Sequence, residues 1–237
     1  MNDKLEPIEA AKLFINKHFP DCDGALLAGS VVRGQHTKTS DLDIVVFDKK
    51  LPTSYRESLI DFGWYIEVFA HNLISYKTFF QSDYQRARPS MPRMVAEGVI
   101  LKDKGVLASI KLEAKQLLDK GPEAWSLKTI DMKRYFITDA LDDLIGCTNR
   151  AEALFIANAL AMDVSEFVLR TNQQWIGASK WVVRALQQYD QAFTDQFVEA
   201  FDSFYKTGNK DKIIELIDGV LKPYGGRLFE GFALGKD

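Results

Sequence analysis

The sequence is poor in the residues that mark several common classes of protein. Its 237 residues include only two cysteines, Cys22 and Cys147, which lie far apart and show no metal-ligand spacing. This usage gives no support to a cysteine-based metal centre and favours a reducing, cytoplasmic compartment. The three histidines likewise show no spacing that would suggest metal binding or nucleophilic catalysis.

Long apolar runs and an excess of positive charge are also missing. The longest uncharged apolar stretch, residues 153–162, is far shorter than the roughly 18–20 residues that a membrane span requires. The N-terminal stretch MNDKLEPIEAAK contains acidic residues and no apolar signal-peptide core. The net charge is −3 and the pI is about 5.7, so no overall basic field favours nucleic acid. We therefore expect a soluble protein without membrane or nucleic-acid partners.

The first hundred residues combine helical periodicity with short apolar runs that are typical of strands. Helices are predicted over 7–19, 72–86 and 91–97, and strands over 25–28, 42–47, 64–69 and 99–101. Together these elements indicate a mixed-sheet domain, to which we assign residues 1–120.

From about Gly121 onward the periodicity is helical. The predicted helices are 129–146, 151–171, 175–189, 190–206 and 210–221, and a charged helical stretch over 105–128 connects them to the first domain. The fold class is therefore α/β (α+β), with an N-terminal mixed-sheet domain followed by an all-α helical bundle over residues 121–237.

The stretch LLAGSVVRGQHTKTSDLDIVVF, residues 26–47, carries the clearest chemical signal. Gly29 and Gly34 have the spacing of a phosphate-binding P-loop, but Gln35 and His36 follow where that loop needs Lys and Ser or Thr. A P-loop is therefore excluded. Gly29 and Ser30 still follow a strand directly, where backbone amides and a small residue favour contact with a phosphate.

Asp41 and Asp43 stand at alternate positions beside a predicted strand, so both side chains face the same side of the sheet. Leu42, Ile44 and Val46 are predicted to face the core. Glu67 has the same arrangement on a later strand. Neighbouring carboxylates repel one another unless a cation neutralises them, and hard divalent ions such as Mg²⁺ prefer carboxylate and phosphate oxygens. The three acids predict a metal site for phosphoryl transfer.

Taken together, Gly29-Ser30, Asp41-Leu42-Asp43 and the strand-borne Glu67 resemble the motif of the nucleotidyltransferase superfamily that includes DNA polymerase β. Ser40, immediately before Asp41, also fits this pattern. The helical second domain is similar to that of antibiotic nucleotidyltransferases of the kanamycin and streptomycin adenylyltransferase types.

This resemblance implies a reaction and a set of roles. A nucleoside triphosphate, by default ATP, would bind with its phosphates near Gly29 and Ser30, and Asp41, Asp43 and Glu67 would act as catalytic residues and hold Mg²⁺. A hydroxyl of a small molecule, such as an aminoglycoside-like antibiotic, would receive the nucleoside monophosphate while pyrophosphate leaves.

Two cationic residues are further candidates for contact with the triphosphate. Arg33 lies close to Gly29-Ser30 and is predicted either to meet a terminal phosphate or to lie on an exposed helix face. Lys180 begins an amphipathic helix in the second domain, where the resemblance implies a lysine that reaches the phosphates.

Several alternatives remain open from the sequence. Asp139, Asp142 and Asp143 share one helix face, which would either hold the amines of a cationic acceptor or simply be solvated. The acceptor could instead be a protein hydroxyl, as in nucleotidyltransferase antitoxins that modify a toxin partner. A catalytically silent nucleotide-binding relative is the third hypothesis. The sequence does not indicate an oligomeric state.

Overall fold

The computed structural model describes residues 4–235, and the chain divides into two compact units, Met1–Gly121 and Pro122–Asp237. Over the described residues, the first unit contains a five-stranded sheet and five helices. Its elements in chain order are α1 (Pro7–His18), β1 (Gly24–Ala28), α2 (Gly29–Val32), β2 (Leu42–Phe47), β3 (Tyr55–Asp61), β4 (Trp64–His71), α3 (Tyr76–Gln85), α4 (Ser90–Glu97), β5 (Val99–Asp103) and α5 (Leu107–Lys120).

The sheet is mixed, as predicted, and its strand order is β3-β4-β2-β1-β5. Strands β2 and β4 run parallel, while β1 pairs antiparallel with both β2 and β5, and β3 pairs antiparallel with β4. The parallel register places Asp43 directly opposite Glu67, and the antiparallel register places Ala28 opposite Asp43. Three chain segments therefore meet at one end of β2.

Both faces of the sheet are covered around β1 and β2. Leu42, Ile44 and Val46 are buried against α1, which confirms the predicted core face. Val45 and Phe47 are also buried, on the opposite face, where they pack with residues of α3, α4 and α5. Because side chains alternate along a strand, Asp43 belongs to this second face, just before the part that the helices cover.

Strand β3 was not predicted, and its exposure explains why. It pairs only with β4, at the edge of the sheet, and five of its seven residues are exposed. An edge strand with polar residues on both faces lacks the alternation on which strand prediction depends. The strand predicted over 99–101 extends over Val99–Asp103.

In the part of the second unit that the structure describes, the regular elements are all helical, which confirms the predicted helical region. They are α6 (Leu127–Gly146), α7 (Arg150–Thr171), α8 (Trp181–Tyr189), α9 (Gln191–Thr207), α10 (Asp211–Leu221) and a 3₁₀ turn (Lys222–Tyr224). Their apolar faces meet in one core that contains Leu160, Phe167 and Phe204.

Three of the predicted helices were too long, and the one predicted over 72–86 is Tyr76–Gln85. The helix predicted over 175–189 begins only at Trp181, because Ser179, inside the predicted range, has φ +52°. The connecting helix predicted over 105–128 ends at Lys120, since Gly121 adopts φ +73°. A residue in this region of φ cannot continue a right-handed helix. No helix within residues 4–235 is both long and apolar enough to cross a membrane.

Candidate active site

Gly29 links the end of β1 to the short helix α2 and lies against the carboxylate of Asp43. Its φ is +80°, a value that side-chain-bearing residues rarely adopt, and a Cβ atom there would lie 1.9 Å from Asp43 Oδ2. Only glycine therefore allows this close approach between the backbone and the carboxylate.

Ser30 ties the turn after β1 to the segment that precedes Asp41. Its hydroxyl donates a hydrogen bond to Ser40 Oγ at 3.3 Å, and Ser40 Oγ also accepts one from the amide of Thr37 at 2.8 Å. The carbonyl of Ser30 accepts from the amide of Gln35 at 2.9 Å. These bonds hold the loop across the ten residues that separate the Gly-Ser pair from the carboxylates.

The structure brings Asp41, Asp43 and Glu67 together. Asp41 immediately precedes β2, Asp43 lies on β2, and Glu67 lies opposite Asp43 on β4. One carboxylate oxygen from each residue lies within 4.8 Å of the others, and all three residues are partly buried. We call these three residues the acidic triad.

Crowding in the acidic triad is visible in the pKa of Asp43. Burial, and after it the negative charges of Asp41 and Glu67, raise this pKa to about 6 against the opposing effect of Arg33 and Arg56. A cation held between the carboxylates would remove this penalty. Three oxygen ligands at this separation fit a hard divalent ion such as Mg²⁺.

Arg56 is a neighbour of the acidic triad that the sequence did not reveal. It lies on β3, and its Nη2 atom donates to both carboxylate oxygens of Glu67 at 2.6 Å. Its guanidinium group also lies over the ring of Phe69, with 5.0 Å to the ring centroid. Sequence reasoning missed Arg56 because β3 itself carried no recognisable pattern.

Arg33 follows α2 directly and is only partly exposed. Its surroundings therefore differ from the fully exposed helix face that was one of the two predictions for this residue. Its Nη1 atom donates to Glu97 Oε2 at 2.7 Å, and Arg93 Nε lies 3.9 Å from the other oxygen of Glu97. Arg33 nevertheless lies close enough to Asp43 for its charge to lower that residue's pKa. Contact between Arg33 and a phosphate stays a prediction.

The second unit contains the remaining residues that the sequence singled out. Lys180 is exposed and immediately precedes α8, so its role with a nucleotide stays a prediction. On α6, Asp142 accepts a hydrogen bond from Arg227 Nη1 at 3.1 Å, whereas Asp139 and Asp143 are exposed. The predicted acidic face is thus partly neutralised within its own unit.

An open groove of about 370 Å³ borders the acidic triad. It is lined by Asp41 and Glu67, by the hydroxyls of Thr39 and Ser58, and by apolar groups of β3 and β4. Ile60 and Tyr65 face each other across these strands and are 68% and 64% exposed. A groove with hydroxyls, an apolar floor and two carboxylates of the acidic triad has room for a small molecule.

Comparison with known proteins agrees with this geometry. Residues 9–82 match the family described as the nucleotidyltransferase domain. The matched segment contains Gly29, Ser30 and all three residues of the acidic triad. The chain therefore contains a nucleotidyltransferase domain, which supports nucleotidyl transfer in general as its activity.

Other comparisons give only distant similarity. The chain is similar to a solved nucleotidyltransferase-like protein from Exiguobacterium sibiricum, with 11% sequence identity and a TM-score of 0.47, over 91% of this chain and 73% of that chain. No curated protein matches the sequence significantly.

Proposed function

We propose that this protein is a Mg²⁺-dependent enzyme that transfers a nucleoside monophosphate, AMP from ATP by default, to a hydroxyl of a small molecule. The observation that carries this proposal is the acidic triad, which has one oxygen of each residue within 4.8 Å of the others. Beside it lies Gly29, at a position where any side chain would collide with Asp43. The scattered cysteines and the need for ATP favour a cytoplasmic location.

Asp41, Asp43 and Glu67 would hold the metal. A metal bound there would neutralise charge on the triphosphate and lower the pKa of the acceptor hydroxyl. The chain itself contributes position and charge. Gly29 lets a phosphate approach the backbone at the start of α2, and Ser30 would contact the same group. Arg33 and Lys180 are the predicted cationic partners of the terminal phosphates.

The proposed reaction is a single in-line displacement. The acceptor oxygen forms a bond to the α-phosphorus, the bond from the α-phosphorus to the bridging oxygen breaks, and pyrophosphate leaves with that electron pair. The proton of the acceptor hydroxyl passes to the carboxylate of Glu67, which borders the groove. Most of the rate enhancement would come from positioning and electrostatic stabilisation.

The groove beside Glu67 supports a small hydroxylated acceptor. Its volume of about 370 Å³ is suited to a few rings of a small molecule, and Thr39 and Ser58 would hydrogen-bond hydroxyls of the acceptor. An aminoglycoside-like antibiotic is the acceptor class that the sequence resemblance suggests, and we adopt it as the first class to test.

Titration calorimetry of ATP and GTP, with and without Mg²⁺, provides the first test. The wild type should bind nucleotide only with metal, and the double variant Asp41→Asn/Asp43→Asn should lose this binding. Glu57→Gln is the matched control, because Glu57 is exposed on β3 and alternates to the face opposite that of Ser58 and Glu67. Absence of nucleotide binding under every metal condition would refute the proposed function.

The acceptor is then identified by pyrophosphate release. Release that depends on an added aminoglycoside would support the small-molecule acceptor. Label from ATP that ends on a protein would instead establish the protein-modifying alternative, while nucleotide binding without any release would indicate a silent relative.

A further inference from the structure

The second unit contains a cavity of about 500 Å³ that is separate from the acidic triad. It lies where the C-terminal end of α7 meets the α8–α9 junction, α10 and the 3₁₀ turn, and all its lining residues belong to the second unit. Its size is within the range of about 300–1,000 Å³ that is typical of small-molecule pockets.

Gly219 gives this cavity room where α10 faces it. The residue lies inside the helix, and no heavy atom lies within 4 Å of the place where its Cβ would stand. Glycine inside a helix destabilises it relative to nearly every other residue. Gly219 is exposed, so this space opens to solvent at the mouth of the cavity, and a larger side chain there would take up part of it.

Aromatic side chains form much of the cavity wall. Tyr189, Phe193 and Tyr224 all line it, and Tyr189 is 37% exposed. Burial raises the pKa of Tyr189, and the nearby Asp190 and Tyr224 raise it further, so its hydroxyl is neutral at physiological pH. The wall therefore offers π faces and neutral hydroxyls to a ligand.

The charge of the cavity is entirely negative. Asp190 and Glu215 line it, and among the residues that the structure describes no lysine, arginine or histidine does. One oxygen of Asp190 accepts from the amide of Phe193 at 2.9 Å and caps α9. Over residues 4–235, neither carboxylate takes part in an ion pair. Carboxylates beside aromatic faces are complementary to an ammonium group, which pairs with both.

We propose that this cavity binds an organic cation, specifically a primary amine carried by an apolar body that fills the space over Gly219. The proposal rests on the second unit alone and stands whether or not the proposed transfer reaction is correct.

The test compares three probes of similar shape on the full-length protein at low salt. Tryptamine is a cation, indole-3-propanol is neutral and indole-3-propionate is an anion, and their binding is measured by calorimetry and saturation-transfer NMR. We expect tryptamine to bind roughly tenfold more tightly than the alcohol, since it gains both a carboxylate pair and cation–π contacts, and the anion to bind weakest.

Variants then locate the site. Glu215→Gln should weaken tryptamine binding by about twofold to fivefold, the usual value of one partly exposed charge pair. Gly219→Leu should abolish binding while raising the melting temperature, because leucine fills the cavity and favours the helix. Asp139→Asn, which removes an exposed carboxylate of α6, should leave binding unchanged.

The acidic triad is the competing site for an amine, so Asp41→Asn/Asp43→Asn is included and should keep full tryptamine binding. The proposal is overturned if the three probes bind equally, if tryptamine does not bind, or if Gly219→Leu retains its binding. Loss of tryptamine binding in the double variant would also overturn it, by assigning the amine to the acidic triad.

Discussion

The two ends of the β1–β2 pair both carry carboxylates, yet these are neutralised in different ways. At one end Ala28 is opposite Asp43, and the acidic triad gathers there. At the other end Gly24 is opposite Phe47, and Asp23 and Asp48 flank the pair. With Asp21, these last two residues form what we call the distal acids.

The distal acids are satisfied by the chain around them. Asp23 Oδ2 accepts from the amide of Lys49 at 2.8 Å, and Asp48 Oδ1 accepts from the amide of Lys50 at 2.8 Å. Lysine ammonium groups lie nearby, with Lys50 Nζ 3.7 Å from Asp21 Oδ2. Asp23 and Asp48 thus bond backbone amides at the end of the sheet, and Asp21 is paired with a lysine.

Within residues 4–235, the acidic triad has fewer hydrogen-bond donors than the distal acids. Arg56 binds Glu67, but Asp43 remains crowded by two other carboxylates, and its pKa is raised to about 6. The function of a carboxylate cluster therefore depends on the partners of its members. Acids bonded to their own backbone stabilise the fold, whereas acids left facing one another indicate a site for a ligand.

The largest expected difference is in catalysis. Asp43→Asn should lower metal-dependent pyrophosphate release on the order of 10³-fold, because it removes a metal ligand from the centre of the acidic triad. Asp23→Asn should leave the rate within about twofold. Steady-state kinetics with saturating Mg²⁺ measures the rates of both variants. An Asp43→Asn variant that keeps the wild-type rate would contradict the assignment of the site.

Gly29 should be far less tolerant of substitution than Gly34. Both have positive φ, but a Cβ at Gly29 would collide with the Asp43 carboxylate, whereas none of the described atoms lies within 4 Å of one at Gly34. Gly29→Ala should lower nucleotide affinity or turnover on the order of 10²-fold, and Gly34→Ala should cost only about 1 kcal/mol of stability. Calorimetry and thermal melting separate the two effects, and equal losses in both variants would show that only backbone strain matters.

The stability of the metal-free protein should depend on pH through Asp43. Because folding raises its pKa from 3.8 to about 6, the folded state binds more protons between these values. Stability should therefore fall by about 2 kcal/mol as pH rises from 4 to 7. Asp43→Asn should abolish this loss, and Mg²⁺ should reverse it in the wild type.

Thermal melting from pH 4 to pH 8, with and without Mg²⁺, tests this prediction. Asp23→Asn is the control, since it removes a distal acid and should leave the Asp43-dependent change in place. A wild type whose pH dependence equals that of Asp43→Asn would show that the acidic triad is not strained.

Arg56 should compete with metal for Glu67. Arg56→Gln should tighten Mn²⁺ binding by about threefold, the usual value of a partly exposed ion pair, and lower the stability of the metal-free protein slightly. Lys49→Gln, which removes a cation from beside the distal acids, should leave Mn²⁺ affinity unchanged. Titration followed by electron paramagnetic resonance gives both values, and weaker binding in Arg56→Gln would instead assign Arg56 to positioning Glu67.

The smallest expected effect concerns the distal acids themselves. Asp23→Asn should cost about 1 kcal/mol, because a buried hydrogen-bond acceptor for the Lys49 amide is weakened. Added Mg²⁺ should not change this difference in chemical denaturation. A cost that disappears with Mg²⁺ would reveal a second metal site and remove the contrast between the two ends.

Prediction from sequence succeeded where the signal was local. The apolar alternation of β2 and the helical periodicity of the second unit were recognisable, as was the spacing from Gly29 to Asp43. It failed for β3, whose exposed residues carry no alternation, and for the loop before Trp181, where positive φ values end helical geometry. Arg56 was missed with β3, because its significance depends on a strand partner.

The chain's own order of residues was enough to place Asp41 and Asp43 on one side of a strand, since alternation is a property of adjacent residues. It was also enough to put a glycine at the turn before them. Only tertiary structure decided that Glu67 lies opposite Asp43, that Arg56 neutralises Glu67, and that the distal acids are satisfied while the acidic triad is not. These features depend on which distant segments pair and in which register, and register follows from packing across the whole sheet.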